Sequence, residues 1–354
     1  MARQYENLFP GIIEFGNLYA AFRRAAKGKR GKWEVADFEW NLESELWRLH
    51  EQLGDGSYRP GGYYSFYIRD PKHRLISAAP FRDRVVHHAL CNLIEPVFER
   101  TFIGDSYANR VEKGSHAALD RAQRFARRCR YVLQCDVRQF FPSIDHGVLL
   151  QILQRKIADE RTLDLCGKII QSGAGVLSRE YKQTYFPGDD LFAALRPRGL
   201  PIGNLTSQFW ANVYLNELDQ FIKRQLRCKE YLRYVDDFLL FSDDKQQLWN
   251  WKLEVKQYLI ALRLSLHEKE STVYPVESGI PFLGFRIYPD HRRLKRRNGV
   301  NFSRRLRRNY RAYARGELAK EELDIRVQGW IAHAKHGDTW RLRASLLRNP
   351  LPKQ

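Results

Sequence analysis

Three aspartates in this sequence are placed to do chemistry together. Asp236 and Asp237 stand side by side in the stretch RYVDDFLLF, between two apolar runs that read as strands, and Asp136 ends a third apolar run, YVLQCD, 100 residues earlier. Two carboxylates about 4 Å apart repel by about 1 kcal/mol in bulk water and by about 4 kcal/mol at an effective dielectric of 20, so an adjacent pair calls for a compensating cation. Hard carboxylate oxygens suit Mg²⁺, which usually shares its shell with substrate phosphates. Two such ions about 3.5 to 4 Å apart activate an attacking oxygen and stabilise a leaving one in phosphoryl transfer. An isolated Asp-Asp would instead read as a turn whose carboxylates satisfy backbone N–H groups. The position of the pair between two strands, and the matching Asp136, favour metal binding.

The elements that must position these acids are legible in the same pattern. YVLQCD predicts a buried strand delivering Asp136 to a sheet edge, and EYLRYV and FLLFS predict two strands with the acid pair at a tight hairpin turn. GGYYSFYIRD and RLISAAP predict another hairpin, with Lys72, His73 and Arg74 at its tip. From Val35 to Leu53 the apolar residues Phe38, Leu42, Leu46, Leu49 and Leu53 recur every three or four positions and predict one amphipathic helix, with Gly54 as its stop signal. Helices are also predicted over 82–100, 115–128 and 245–263, and after Asp145, which reads as a cap. PRGLPIGNLTSQ (197–208) is a Gly/Pro-punctuated loop leading into a helix with the pattern FWANVYLNELDQFIKRQL, and IPFLGFRIYP (280–289) predicts a hairpin or strand.

The chain is long enough, at 354 residues and 44% hydrophobic, to bury a sizeable core in two or three packed units. Its formal charge of +19 is uneven, because residues 291–354 hold 18 Lys+Arg against 5 Asp+Glu. Ten of those cations fall between Arg292 and Arg311, interleaved with Phe302 and Tyr310. Such a segment fits a polyanion partner, a solvated basic face or an anionic membrane surface, and composition alone does not choose. Five cysteines, none spaced C-x-x-C, argue against a disulfide framework or a zinc ribbon and for free thiols in a reducing compartment. The N-terminus lacks a signal-peptide layout and no apolar run reaches spanning length, so a cytoplasmic protein without a membrane partner is expected.

YVDD with flanking apolar strands resembles the catalytic hairpin of reverse transcriptases, and QCDVRQFFPSID resembles their first catalytic motif. The resemblance implies that Asp136 and Asp236 bind two Mg²⁺ ions together with the Val137 carbonyl, that Asp237 assists as a third catalytic acid, and that Phe141 excludes a ribose 2′-OH. Further stretches extend it over most of the chain. HRLISAAPFRDRVVHHALCNLIEPVFERTFIGDSYANR is similar to the fingers of group II intron-like bacterial enzymes, and FLGFRIYP to a palm-to-thumb element. Arg74, with Lys72 nearby, is then expected at the nucleotide triphosphate, whose oxygens the Arg fork can bind bidentately. Arg82 and Arg84 are expected to be structural or template-contacting.

GLPIGNLTSQ departs from most of the family. Ile202 stands where most members have Gln, and Gln208 where they have Pro, around a shared Gly203 and Ser207. That pattern resembles the enzymes of diversity-generating retroelements, which copy a template-repeat RNA into cDNA with errors opposite adenines and work with a small basic oligomeric accessory variability protein. Ile202, Gly203 and Gln208 are accordingly expected around the nucleotide. A Gln beside the nascent pair can hydrogen-bond template or nucleotide, whereas Ile202 offers only shape.

The resemblance implies an α+β right-hand polymerase fold: fingers over 1–130, an antiparallel-sheet palm bearing the YVDD hairpin over 131–290, and a basic helical thumb over 291–354. It implies an RNA-directed DNA polymerase that is bacterial or phage-encoded, uses dNTPs and a template RNA, and grips the RNA–DNA duplex through Arg304, Arg305, Arg307 and Arg308. The rivals are a retron, group II intron-like or phage-defence reverse transcriptase, and a non-catalytic RNA-binding scaffold.

Overall fold

A computed structural model of the chain describes residues 4–68 and 73–348. The described residues include nine strands: β1 (Tyr64–Ile68), β2 (Arg74–Ala78), β3 (Tyr131–Asp136), β4 (Tyr231–Tyr234), β5 (Asp237–Ser242), β6 (Thr272–Pro275), β7 (Ile280–Phe282), β8 (Phe285–Ile287) and β9 (Arg292–Leu294). β1 and β2 form an antiparallel hairpin, β4-β5-β3-β6 form the central antiparallel sheet, and β7-β8-β9 form a third. The expected hairpin before residue 80 is present, but Lys72 lies outside the described residues.

The central strands read as near-continuous apolar runs because both faces of their sheet are covered. Leu133 and Cys135 on β3, with Phe238 and Leu240 on β5, pack into a core shared with helices Phe81–Glu99, Leu205–Gln220 and Lys245–Ala261. On the opposite face, Val132, Leu232, Leu239 and Phe241 pack against Leu119, Ala122 and Phe125 of helix Ser115–Ala126 and against Phe282, Phe285 and Ile287 of the third sheet. Fully burying a side chain of Leu or Phe size contributes about 1.5 to 3 kcal/mol, so several such residues on each face hold the end of the sheet in place.

Two predicted helices differ in the structure. The single helix expected up to Leu53 is two, Trp33–Trp40 and Leu42–Gly54, divided at Asn41. The Asn41 side chain donates to the Asp37 carbonyl at 3.2 Å, and such local side-chain bonding competes with helix continuation. The helix after the 197–208 loop begins at Leu205 and widens into a π-helical turn over Phe221–Gln225, where the Leu226 amide bonds the Phe221 carbonyl at 3.1 Å.

The basic segment supplies β9 and then three helices, Arg296–Ala314, Lys320–Ala334 and Trp340–Arg348. The first two are held together by Phe302 stacked on Trp330, ring centroids 3.8 Å apart and 3° from parallel. All five cysteines are free thiols. No helix among the described residues is long and apolar enough to cross a membrane.

Candidate active site

Strand register brings the three acids together. Asp136, the last residue of β3, lies directly opposite Asp237, the first of β5, and Asp236 occupies the turn before it. The Val137 amide donates to the Asp236 carbonyl at 3.2 Å, which fastens the turn to the end of β3. Burial, reinforced by the charges of Asp136 and Asp236, pushes the Asp237 carboxyl up to about 8, against a 3.4 Å hydrogen bond from Gln134 and the charge of Lys295. The Gln134 amide also donates to the Pro281 carbonyl at 3.1 Å, and its oxygen accepts from Tyr274 at 2.8 Å. Asp237 is thereby tied to β6 and to the third sheet.

The turn itself is strained, since Val235 has φ 57°. A β-branched residue seldom enters that region, and such a conformation persists only where its surroundings enforce it. The enforcing groups lie beneath the sheet. Arg233 is fully buried, and its Nη1 donates to the Val235 carbonyl at 3.0 Å. Its Nε and Nη2 meet both oxygens of the equally buried Asp219 at 2.8 and 2.6 Å, and Asp219 also accepts the Tyr231 hydroxyl at 2.6 Å. Asn212 completes the set, accepting from Nη1 at 3.2 Å. The sequence held one signal of this network: a cation inside the otherwise apolar strand EYLRYV, with an acid at an apolar-spaced position of the preceding helix.

Backbone hydrogen bonds join the loop that carries Ile202 to the Phe141 segment on one side and to β2 on the other. Phe141 sits half-buried in a short helix, Phe140–Ser143, and its carbonyl accepts the Leu200 amide at 3.0 Å. Two residues on, the Ile202 carbonyl accepts the Ser77 amide of β2 at 2.8 Å. Gly203 has φ 118°, and a Cβ there would come within 2.9 Å of the Ile76 side chain, so both backbone and space require glycine. Asn204, which the sequence reading missed, latches this loop to β2 by accepting the Ala79 amide at 2.9 Å and donating to the Ser77 carbonyl at 2.8 Å. Ile202 and Gln208 are half-buried, and Arg74 is exposed at the start of β2.

Other expected residues fall elsewhere. Asp145 caps helix His146–Gln154 by accepting the Val148 amide at 3.0 Å. Arg84 bonds the Ala79 carbonyl at 2.7 Å and pairs with Glu34 at 3.1 Å, and Arg82 bonds Gln52. Arg304, Arg305, Arg307 and Arg308 are all exposed on helix Arg296–Ala314.

Among the described residues, no group of three or more His, Cys, Asp and Glu side chains converges as a ready ligand set. The donors at the sheet end are hard oxygens, with Asp136 directly opposite Asp237 and Asp236 on the adjoining turn, and the Asp237 carboxyl is raised first by burial and then by the charges of those two neighbours. That donor chemistry fits Mg²⁺ completed by substrate phosphates rather than an all-protein cage.

Residues 68–287 match the family model described as reverse transcriptase (RNA-dependent DNA polymerase). The chain is 27% identical over 286 residues to protein YkfC of Escherichia coli, covering 70% of this chain and 72% of YkfC. It is 28% identical over 220 residues to the group II intron-encoded protein LtrA of Lactococcus lactis, covering 61% of this chain and about a third of LtrA (34%). A structure of apo telomerase from Candida tropicalis aligns with TM-score 0.47 at 12% identity, covering 72% of this chain and 53% of that one.

Proposed function

The chain belongs to the reverse transcriptase (RNA-dependent DNA polymerase) family, and from that premise we propose that it copies an RNA template into DNA at the end of the central sheet. The observation that carries this reading is the cross-strand opposition of Asp136 and Asp237, with Asp236 on the adjoining turn. In the reaction a primer 3′-oxygen attacks the α-phosphorus of a dNTP in line, the bond to pyrophosphate breaks, and the hydroxyl proton leaves to solvent. Two Mg²⁺ ions held by Asp136, Asp236 and the Val137 carbonyl would supply charge neutralisation and a more acidic 3′-hydroxyl.

The chain's own residues supply position and selection. Arg74, with Lys72, would reach the triphosphate from the β1–β2 hairpin, and the Phe141 ring would exclude a ribose 2′-OH. The 1–130 segment would act as fingers, 131–290 as palm and 291–354 as thumb. Arg304, Arg305, Arg307 and Arg308, exposed on one helix, would grip the RNA–DNA duplex through its backbone.

The finer reading is an enzyme of a diversity-generating retroelement, copying a template-repeat RNA with adenine-directed errors and assisted by a basic oligomeric accessory protein. It is supported by Ile202, an aliphatic residue in the loop hydrogen-bonded to β2, where a side-chain amide could otherwise restrain the nascent pair. A second reading, a group II intron-like reverse transcriptase, is favoured by the likeness to LtrA.

Primer extension on a defined RNA, with product sequencing, tests both levels. Mg²⁺-dependent products that Asp236→Ala lowers by about 1000-fold or more support the polymerase, since several kcal/mol of transition-state charge stabilisation are lost. No product from the wild type with its RNA and accessory protein supplied would leave an RNA-binding scaffold. Errors concentrated opposite template adenines, reduced by about tenfold in Ile202→Gln, support the retroelement reading, and about 1.4 kcal/mol of discrimination suffices for that change. Faithful copying would favour the intron-like reading.

A further inference from the structure

We infer that Arg233 is a positioning residue for the reaction: through the Val235 carbonyl it holds the strained turn that presents Asp236, and Asp219, Tyr231 and Asn212 hold Arg233. The inference rests on the proposal that Asp136 and Asp236 are the reacting site.

The geometry distinguishes this network from an ordinary buried ion pair. Asp219 alone satisfies the Nε and Nη2 side of the guanidinium, leaving Nη1 aimed at the turn, where it reaches the carbonyl of the one residue in the turn with positive φ. A lysine has no planar fork and cannot hold Asp219 and the turn carbonyl in the same fixed geometry. Arg233 is also clamped through its own backbone, its amide donating to the Asp105 carbonyl and its carbonyl accepting from Tyr107, both at 3.0 Å. It therefore has little freedom to follow a turn that relaxes.

The network also has a direction. Asn212 and Asp219 lie on helix Leu205–Gln220, whose N-terminal neighbour Asn204 is bonded to the β1–β2 hairpin. One helix is thus bonded to the hairpin segment through Asn204 and, further along, to the Arg233 side chain. Arg233 is the side chain through which the helix reaches the acid turn. A buried ion pair of this kind costs desolvation and is weak evidence for stability, so the bond from Arg233 to the Val235 carbonyl is the better guide to its role.

The test uses two variants of the full chain. In the first, Arg233→Met, Asp219→Leu and Tyr231→Phe together replace the network by apolar groups of similar size, a change that buried pairs often tolerate. In the second, Arg233→Lys keeps the charge but loses the fork. Each is read three ways: thermal unfolding, single-turnover primer extension at saturating duplex and dNTP, and hydrogen exchange of peptides covering 133–139 and 231–238.

The expected result is a folded protein with unchanged duplex affinity. Its single-turnover rate falls roughly 100-fold, as for a reacting group misplaced by about 1 Å. Exchange quickens at the Val137 amide and the turn, and the lysine variant does not rescue the rate. Unchanged exchange at those peptides in either folded variant overturns the inference, whatever the extension assay gives. Quickened exchange with a rate within about twofold of wild type overturns it as well, because a loosened turn then leaves the reaction intact. A wild type without any extension would defeat the functional reading separately. If the triple variant fails to fold, the lysine variant decides by the same measurements.

Discussion

Arg233 and Arg304, Arg305, Arg307 and Arg308 of helix Arg296–Ala314 are the same side chain in opposite surroundings. Arg233 has no exposed surface and spends its donors on Asp219, Asn212 and the Val235 carbonyl, so its charge is consumed inside the protein. Arg304, Arg305, Arg307 and Arg308 stand exposed on a helix whose buried residues are Gly299, Phe302 and Leu306. Burial in a low-dielectric interior makes a charge specific and rigid, because every unsatisfied donor is costly. Exposure keeps a charge in contact with water, where salt screens it.

The sharpest way to break the comparison is Arg233→Met alone. It leaves Asp219 buried without its cation, which should lower unfolding free energy by about 3 to 5 kcal/mol in denaturant titration. A loss below about 1 kcal/mol would mean that Arg233 behaves like a surface arginine.

Next in size is the converse change, substitution of Arg304, Arg305, Arg307 and Arg308 together by Gln. Duplex affinity at low salt should fall roughly 10- to 100-fold while unfolding is unaffected. The slope of log affinity against log salt should become shallower by about 0.7 to 0.9 for each arginine that contacts phosphate. An unaltered slope would remove this helix from the duplex interface.

Buried histidine extends the contrast to pH. His87 is 2% exposed on helix Phe81–Glu99, and burial, then the charges of His88 and Arg84, depress its imidazole to about 3. The unfolded chain binds this proton near pH 6.5 and the folded chain only near 3, so the folded state carries fewer protons between those values. Stability is therefore full above about pH 6.5 and is lost as pH falls through that window, by up to about 1.4 kcal/mol per pH unit from this residue. His87→Gln should flatten the acid limb of a melting-temperature profile, and an unchanged limb would assign the loss to other groups. The smallest effect belongs to any one of the four exposed arginines, whose single substitution should move stability by less than about 0.5 kcal/mol.

Much of the fold was legible because its signals are local. Strand β3 ends at Asp136 as read and Asp145 caps its helix, since apolar runs and caps act over a few positions; of the acid pair expected at the hairpin turn, Asp236 lies in it and Asp237 opens β5. The helix expected up to Leu53 failed at Asn41 for the opposite reason. Its apolar period continues through a residue whose side chain competes for the backbone, and periodicity does not register that competition.

The sequence by itself determined which chemistry was present: three carboxylates on strand ends, glycine where the loop needs φ 118°, and a cationic segment after residue 290. Only the tertiary structure decided which charges are internal and what they hold. Asp219 meets Arg233 across 14 residues and Asn204 meets Ser77 across 127; the lone cation in EYLRYV signals a buried partner without saying which residue it is, and the second pairing has no local signature. A charged residue reads the same in sequence whether water or a buried partner satisfies it, and the difference lies in packing that long-range contacts alone create.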